Sequence, residues 1–118
     1  MNKEAQQIAI AEACDWKDVK YTYHEEVDIE NRSIVHWSGL TGIPPEFTHF
    51  KNRVRIPDYL NDLNAMHEAE ENIRHDHDSW GKYLVFLSRS APECRVFSTA
   101  AQRAEAFLRT TGKWKEDA

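Results

Sequence analysis

The densest group of side chains able to do chemistry is His75-Asp76-His77-Asp78, with His67 and Glu68 about one helix-length upstream. A His-x-His pair holds a divalent cation when its segment is extended, because alternate side chains of a strand point the same way. On a helix the two imidazoles diverge by about 200°. Ser79 and Trp80 stand where a binuclear His-x-His-x-Asp-His hydrolase would carry its further Asp and His. The expectation is a solvated charged turn without metal or other cofactor. A metal-dependent hydrolase using His75 and His77 is the outlying alternative.

Other catalytic patterns are weaker still. The runs Glu25, Glu26, Asp28, Glu30 and Glu68, Glu70, Glu71 could supply acid and base, but that work needs one buried, perturbed carboxylate, and such runs belong to solvated faces. Cys14 and Cys94 form no CxxC pair, no serine sits in a Gly-x-Ser-x-Gly elbow, and four glycines build no phosphate-cradling loop. A non-enzymatic protein is expected.

Charge is distributed more suggestively. From Asp58 to Asp78 seven acids oppose Arg74 alone, giving −6, whereas from Arg95 to Lys115 five bases oppose Glu105, giving +4. An acidic helix face can occupy a basic groove built for nucleic acid. Asp62, Glu68, Glu70, Glu71, Asp76 and Asp78 are therefore the candidate interaction residues of a DNA-mimicking inhibitor. Conversely, Arg103, Arg109, Lys113 and Lys115 beside Trp114 could touch phosphates and stack on bases. Helix C-termini attract cations in any case, and a formal net charge of −5 argues against direct nucleic-acid binding.

The elements that must position these residues are legible to different degrees. Ala5, Ile8, Ala9 and Ala13 recur at helical spacing behind a capping Asn2, with Trp16 as an anchor just past the helix end. Val19, Tyr21 and Tyr23 alternate as in a half-buried strand, Ser33 to Ser38 reads as its hairpin partner, and Asn31 marks the turn. Gly39 to Lys51, with Pro44 and Pro45, reads as a surface loop held by Ile43 and Phe47.

Pro57 opens a second helix capped by Asn61 or Asp58, with Leu60, Leu63, Met66, Ala69 and Ile73 inward and Asp62, Glu68, Glu70 and Glu71 on the solvent side. Residues 74–78 form a polar connector, and Ser79 could cap the next element. Trp80, Tyr83, Leu84 and Leu87 match helical spacing, but the run Tyr83 to Leu87 also suits a buried strand; helix is preferred because Trp80 extends the stripe back by one turn, and Ala91-Pro92-Glu93 ends the element in either case. The last helix is the most completely specified. Thr99 and Gln102 form a capping box, Ala100, Ala101, Ala104, Phe107, Leu108 and Thr111 face inward, and Gly112 supplies a left-handed stop.

A chain of 118 residues, 41% hydrophobic and 30% charged, predicts one domain over residues 1–118 with one core. It contains no transmembrane run and no secretory signal, so a cytoplasmic protein with reduced thiols is expected. Of Trp16, Trp37, Trp80 and Trp114, three are expected in the core, and an exposed one would mark an interface.

Three blocks carry a resemblance: Ile8 to Cys14 followed by Trp16, Pro57 to Glu70, and Thr99 to Arg109. About half the chain is covered by them, and they resemble small phage- and prophage-encoded proteins of unknown function, some grouped as the phage ABA sandwich domain. Members of that group tend to carry glycine where this chain has Asp15, so the turn before Trp16 is expected to differ here. The resemblance implies a small α+β or sandwich-like domain made in bacteria from a phage genome, and it assigns no site residues. Phage genes of this size commonly encode accessory proteins, including inhibitors of host defence.

The sequence thus predicts an α+β fold of three or four helices on a small antiparallel hairpin or sheet, with a three-layer α/β/α sandwich as the alternative. Its expected role is that of a phage accessory protein acting by protein–protein contact, with a second copy of itself among the candidate partners. An acidic inhibitor of a host nucleic-acid-binding effector, such as a CRISPR nuclease, is the alternative function.

Overall fold

A computed structural model describes residues 1–45, 53–90 and 98–116. Asn2 accepts the Ala5 N–H at 2.7 Å and starts α1, Lys3–Ala13. Its fully buried residues are Ile10 and Ala11, joined by Cys14, while Ala5, Ile8, Ala9 and Ala13 are half-buried, so the inward stripe is rotated from the expected one. Asp15 then adopts φ 67°, a left-handed conformation that favours glycine, and the chain reverses so that the Trp16 N–H reaches the Ala11 carbonyl. Trp16 packs against the core as expected of an anchor.

Strand β1, Lys17–Asp28, pairs antiparallel with β2, Ser33–Ile43, and β2 pairs with the short β3, Val54–Arg55. The hairpin expected from the alternation is present and longer than expected. Residues 39–43 belong to β2 instead of a surface loop, because Gly39 to Ile43 continue the ladder opposite Lys17 to Thr22. Gly42 is needed there: a Cβ would lie 3.1 Å from Val19 and 3.2 Å from the Lys17 carbonyl, where the hairpin base closes on Trp16. Phe47 lies outside the described residues.

After β3, Gln7 of α1 clamps the turn at Asp58 and Tyr59, its amide reaching the Asp58 carboxylate at 2.8 Å and its carbonyl accepting the Tyr59 N–H at 2.9 Å. Helix α2, Leu63–Arg74, is capped by Asp62 and not by Asn61 or Asp58; Asp58 instead binds Asn61 within the preceding turn. Leu60 is buried in that turn, ahead of the helix, and Leu63, expected inward, is exposed at the helix start. Helix α3, His77–Ser90, confirms helix over strand, and its start is held by Asp76, which accepts from the Asp78 N–H and the Ser79 hydroxyl. The ending at Ala91 to Glu93 lies outside the described residues.

Helix α4, Ala100–Thr110, has the full capping box: the Thr99 side chain accepts from Gln102 N–H and the Gln102 side chain accepts from Thr99 N–H. Gly112 has φ 74°, the left-handed stop expected of it. Ala101 is exposed and Ala106 is buried in its stead.

The fold is α+β, with four helices and a three-stranded antiparallel sheet among the described residues. Its core joins Ile10, Tyr59, Met66, Ile73, Tyr83, Leu87, Phe107 and Leu108, drawn from all four helices and the turn before α2. Among the described residues the helices do not form two layers around the sheet, as the sandwich alternative would require. The sheet meets this core at its base, where Trp16, Val19 and Ile56 pack against it, and the rest of β1 and β2 extends away. Extension is visible in the dimensions. The Cα radius of gyration is 16.3 Å and the long axis 51 Å, against about 13.5 Å for a compact chain of this length.

Candidate functional site

The acidic helix face is not one surface. Glu70, expected on the solvent side of α2, is buried with its side chain 7% exposed, and its carboxylate lies 2.9 Å from the Arg103 guanidinium, itself 13% exposed. The Tyr83 hydroxyl donates to the same Glu70 oxygen at 2.6 Å, so one carboxylate ties α2 to α3 and α4. Burial raises the Tyr83 phenol above its ordinary value, and the bond to Glu70 raises it further. Periodicity placed Glu70 outward because only its residue type was visible; Arg103, 33 residues away, is what permits its burial.

The remaining acids are dispersed. Asp62 and Asp76 serve as helix starts, and Glu71 pairs with Arg74 at 2.9 Å and with His75 at 3.7 Å. Glu68 and Asp78 are exposed. His67 lies 3.5 Å from Glu70, His75 follows the end of α2, and His77 begins α3. Among the described residues no group of three His, Cys, Asp or Glu side chains converges as metal ligands.

The expected basic patch is likewise divided. Arg103 belongs to the buried Glu70 cluster, while Arg109 lies over the Trp114 ring at 5.0 Å and pairs with Glu116 at 3.0 Å. Trp16, Trp80 and Trp114, three tryptophans where three were expected in the core, are half-buried and pack against it from outside. Cys14 is buried and accepts from Asn72 at 3.3 Å; burial pushes its thiol up to about 11. Cys94 lies outside the described residues. A shallow groove of about 600 Å³ lies between Ala5, Ile8 and Ala9 of α1 and residues 112–116.

What stands out is the hairpin, which forms an arm with neither face covered along most of its length. On one face Tyr21, Tyr23 and Val27 of β1 neighbour Leu40, Ser38 and Ile34 of β2. Tyr21 bonds Ser38 at 2.9 Å, and Tyr23 bonds and stacks on His36. On the other face Trp37 of the central strand stacks on His24 at 4.3 Å, has the Arg55 guanidinium 3.9 Å from its ring centre, and donates to Glu26 at 3.1 Å. Thr22 bonds both Thr41 and His24.

The arm is anchored and closed by its own polar devices. Asp18 has φ 52° at a register shift between Lys17 and Lys20, and Arg53 fixes this bulge through the Asp18 carbonyl, the Asp18 carboxylate and the Thr41 carbonyl. At the tip the Asp28 carboxylate accepts from Glu30 and Asn31, with Arg32 at φ 50°. These bonds, those from Asn31 foremost, hold the Asp28 carboxyl below the usual range.

Between anchor and tip, large apolar side chains face solvent: Val27 is 73% and Ile29 86% exposed, with Tyr21, Tyr23, Ile34 and Val35 also open. Compared with protein-family models, with curated proteins and with solved structures, the chain finds no match. The geometry of the arm therefore carries the functional reading. The alternation of its residue types predicts a strand with one buried face, whereas the sheet leaves both faces open. No sequence signal distinguishes the two cases.

Proposed function

We propose that the protein is a non-enzymatic contact module that binds another protein through the β1–β2 arm. One observation carries this reading: apolar side chains from Tyr21 to Val35 are exposed on a two-stranded projection whose base alone joins the core. Isolated two-stranded hairpins are marginal in water, and contiguous exposed apolar surface is characteristic of interaction sites. Tyrosines supply large contact area at little conformational cost.

The reading agrees with the accessory role implied by the resemblance to small phage proteins, acting in the cytoplasm of a bacterial host. It moves the contact surface from the acidic helix to the hairpin. Burial of Glu70 and use of Asp62 and Asp76 as helix starts leave a DNA-mimicking face with little support. No helix among the described residues is long and apolar enough to cross a membrane.

The test is affinity capture from bacterial cells with the wild-type chain and with a Val27→Asp, Ile34→Asp double variant, whose two sites are cross-strand partners. The wild type should retain a partner that the variant loses while its far-UV circular dichroism is unchanged. Retention by the arm variant, with loss on charge reversal at Glu68 and Glu71, would overturn the proposal.

A further inference from the structure

We infer that the outer edge of β1 pairs antiparallel with β1 of a second copy of this chain, about a two-fold axis through Tyr23. The inference rests on the arm being a contact surface and commits to its occupant.

In the sheet order β1-β2-β3, β1 has β2 on one side and no strand on the other among the described residues. Alternate residues of its twelve thus direct N–H and C=O groups away from the sheet, a template for another strand. Charges usually blunt such an edge. Here they are ordered along it: Lys17 and Lys20 lie near the start, and Glu25, Glu26 and Asp28 near the end. The exception, Asp18, is tied to Arg53 at the bulge.

An antiparallel copy sets the start of one strand against the end of the other, so β1 is complementary in charge to itself in that orientation. A parallel copy would oppose like charges in register. Opposed residues in an antiparallel ladder must both direct their backbone groups toward the partner or both away, which places the two-fold axis on a residue.

With the axis at Tyr23, the regular segment after the bulge pairs completely. Lys20 faces Glu26, Tyr21 faces Glu25, Thr22 faces His24, and Tyr23 faces its counterpart. By symmetry the Lys20 to Glu26 contact occurs twice. One residue earlier, Lys20 would face His24; one later, it would face Asp28, both of whose carboxylate oxygens are engaged by Glu30 and Asn31 at the tip, whereas Trp37 binds one oxygen of Glu26. Pairing at Tyr23 would also join the two exposed Tyr21, Tyr23 and Val27 faces into one continuous sheet surface.

Sedimentation equilibrium on the full chain tests this with Lys20→Glu, Glu26→Lys and their equimolar mixture. The wild type should dimerise, and each variant alone should dimerise at least about tenfold more weakly, because it opposes like charges twice. The mixture should recover association. In the mixed dimer both cross-axis contacts set a carboxylate of the Lys20→Glu chain against an ammonium of the Glu26→Lys chain, so opposite charges face each other twice, as in the wild type. That recovery cannot come from variants that fail to fold. A wild type that stays monomeric at millimolar concentration, or a mixture no tighter than its components, overturns the pairing. Partner loss by the Val27→Asp, Ile34→Asp variant in the capture experiment would still support the arm as a contact surface in that case.

Discussion

Removing the Glu70 carboxylate should be among the most damaging single changes available in the helical core. Glu70 and Arg103 are 7% and 13% exposed and 2.9 Å apart, and Tyr83 donates to the same oxygen. Deleting one member of a buried pair costs about 3–5 kcal/mol, and the residual exposure of Arg103 places Glu70→Ala near the lower end, about 3 kcal/mol. With about 2.1 cal/mol/K of unfolding entropy per residue, a chain this long loses about 4 °C of Tm per kcal/mol, so Glu70→Ala should lower Tm by about 12 °C. Glu70→Gln keeps an acceptor for Tyr83 and Arg103 while losing the charge, and should cost about half as much. Glu68→Ala, on the exposed side of the same helix, should stay within about 0.5 kcal/mol of wild type. Urea and thermal melts followed by far-UV circular dichroism read all three. If Glu70→Ala proved as mild as Glu68→Ala, the assignment of Glu70 as the pin between α2, α3 and α4 would be refuted.

Three further outcomes follow from local geometry. Asp15→Gly should raise stability by up to about 1 kcal/mol in thermal melts, because glycine adopts the positive φ without the Cβ penalty; a fall would contradict that origin of strain. With Cys94 replaced by serine, Cys14 should resist a thiol-specific reagent at pH 8 until the protein is unfolded, since its thiol is buried and raised to about 11; rapid native reaction would refute its burial. The Asp76 carboxyl is held below its ordinary 3.8, first by the Ser79 hydroxyl. A depressed folded value means that the stabilisation is complete above the ordinary value and lost as pH falls through the lowered one. The Tm deficit of Asp76→Asn should therefore shrink from about pH 5 to about pH 2, and a deficit that grows on acidification would contradict the sign.

The sequence was informative where a local pattern decides the outcome. The α4 capping box, the Gly112 stop and the Asn2 cap depend on residues within a turn of one another, and all three are present. Helix over strand for α3 rests on Trp80, which extends the apolar stripe back by one turn, since the periodicity of Tyr83 to Leu87 suits either element. Burial of Glu70 was illegible because it depends on Arg103 and Tyr83 arriving from other helices. Extension of β2 through Gly39 to Ile43 was obscured by two glycines and a following Pro-Pro pair, which are turn formers unless a partner strand supplies the ladder. The left-handed conformation of Asp15 was not legible, since no pattern in the flanking residues demands a positive φ there. The openness of both arm faces depends on where the helices pack, a tertiary outcome that alternation within β1 does not encode.

Amide hydrogen exchange, measured by mass spectrometry on the full chain alone and in its captured complex, tests the role of the arm most directly. Protection should rise across β1 and β2, Lys17–Asp28 and Ser33–Ile43, while α2 and α4 exchange as before. New protection confined to α2 and the start of α3, with the arm unchanged, would contradict that role and return the contact surface to the acidic residues.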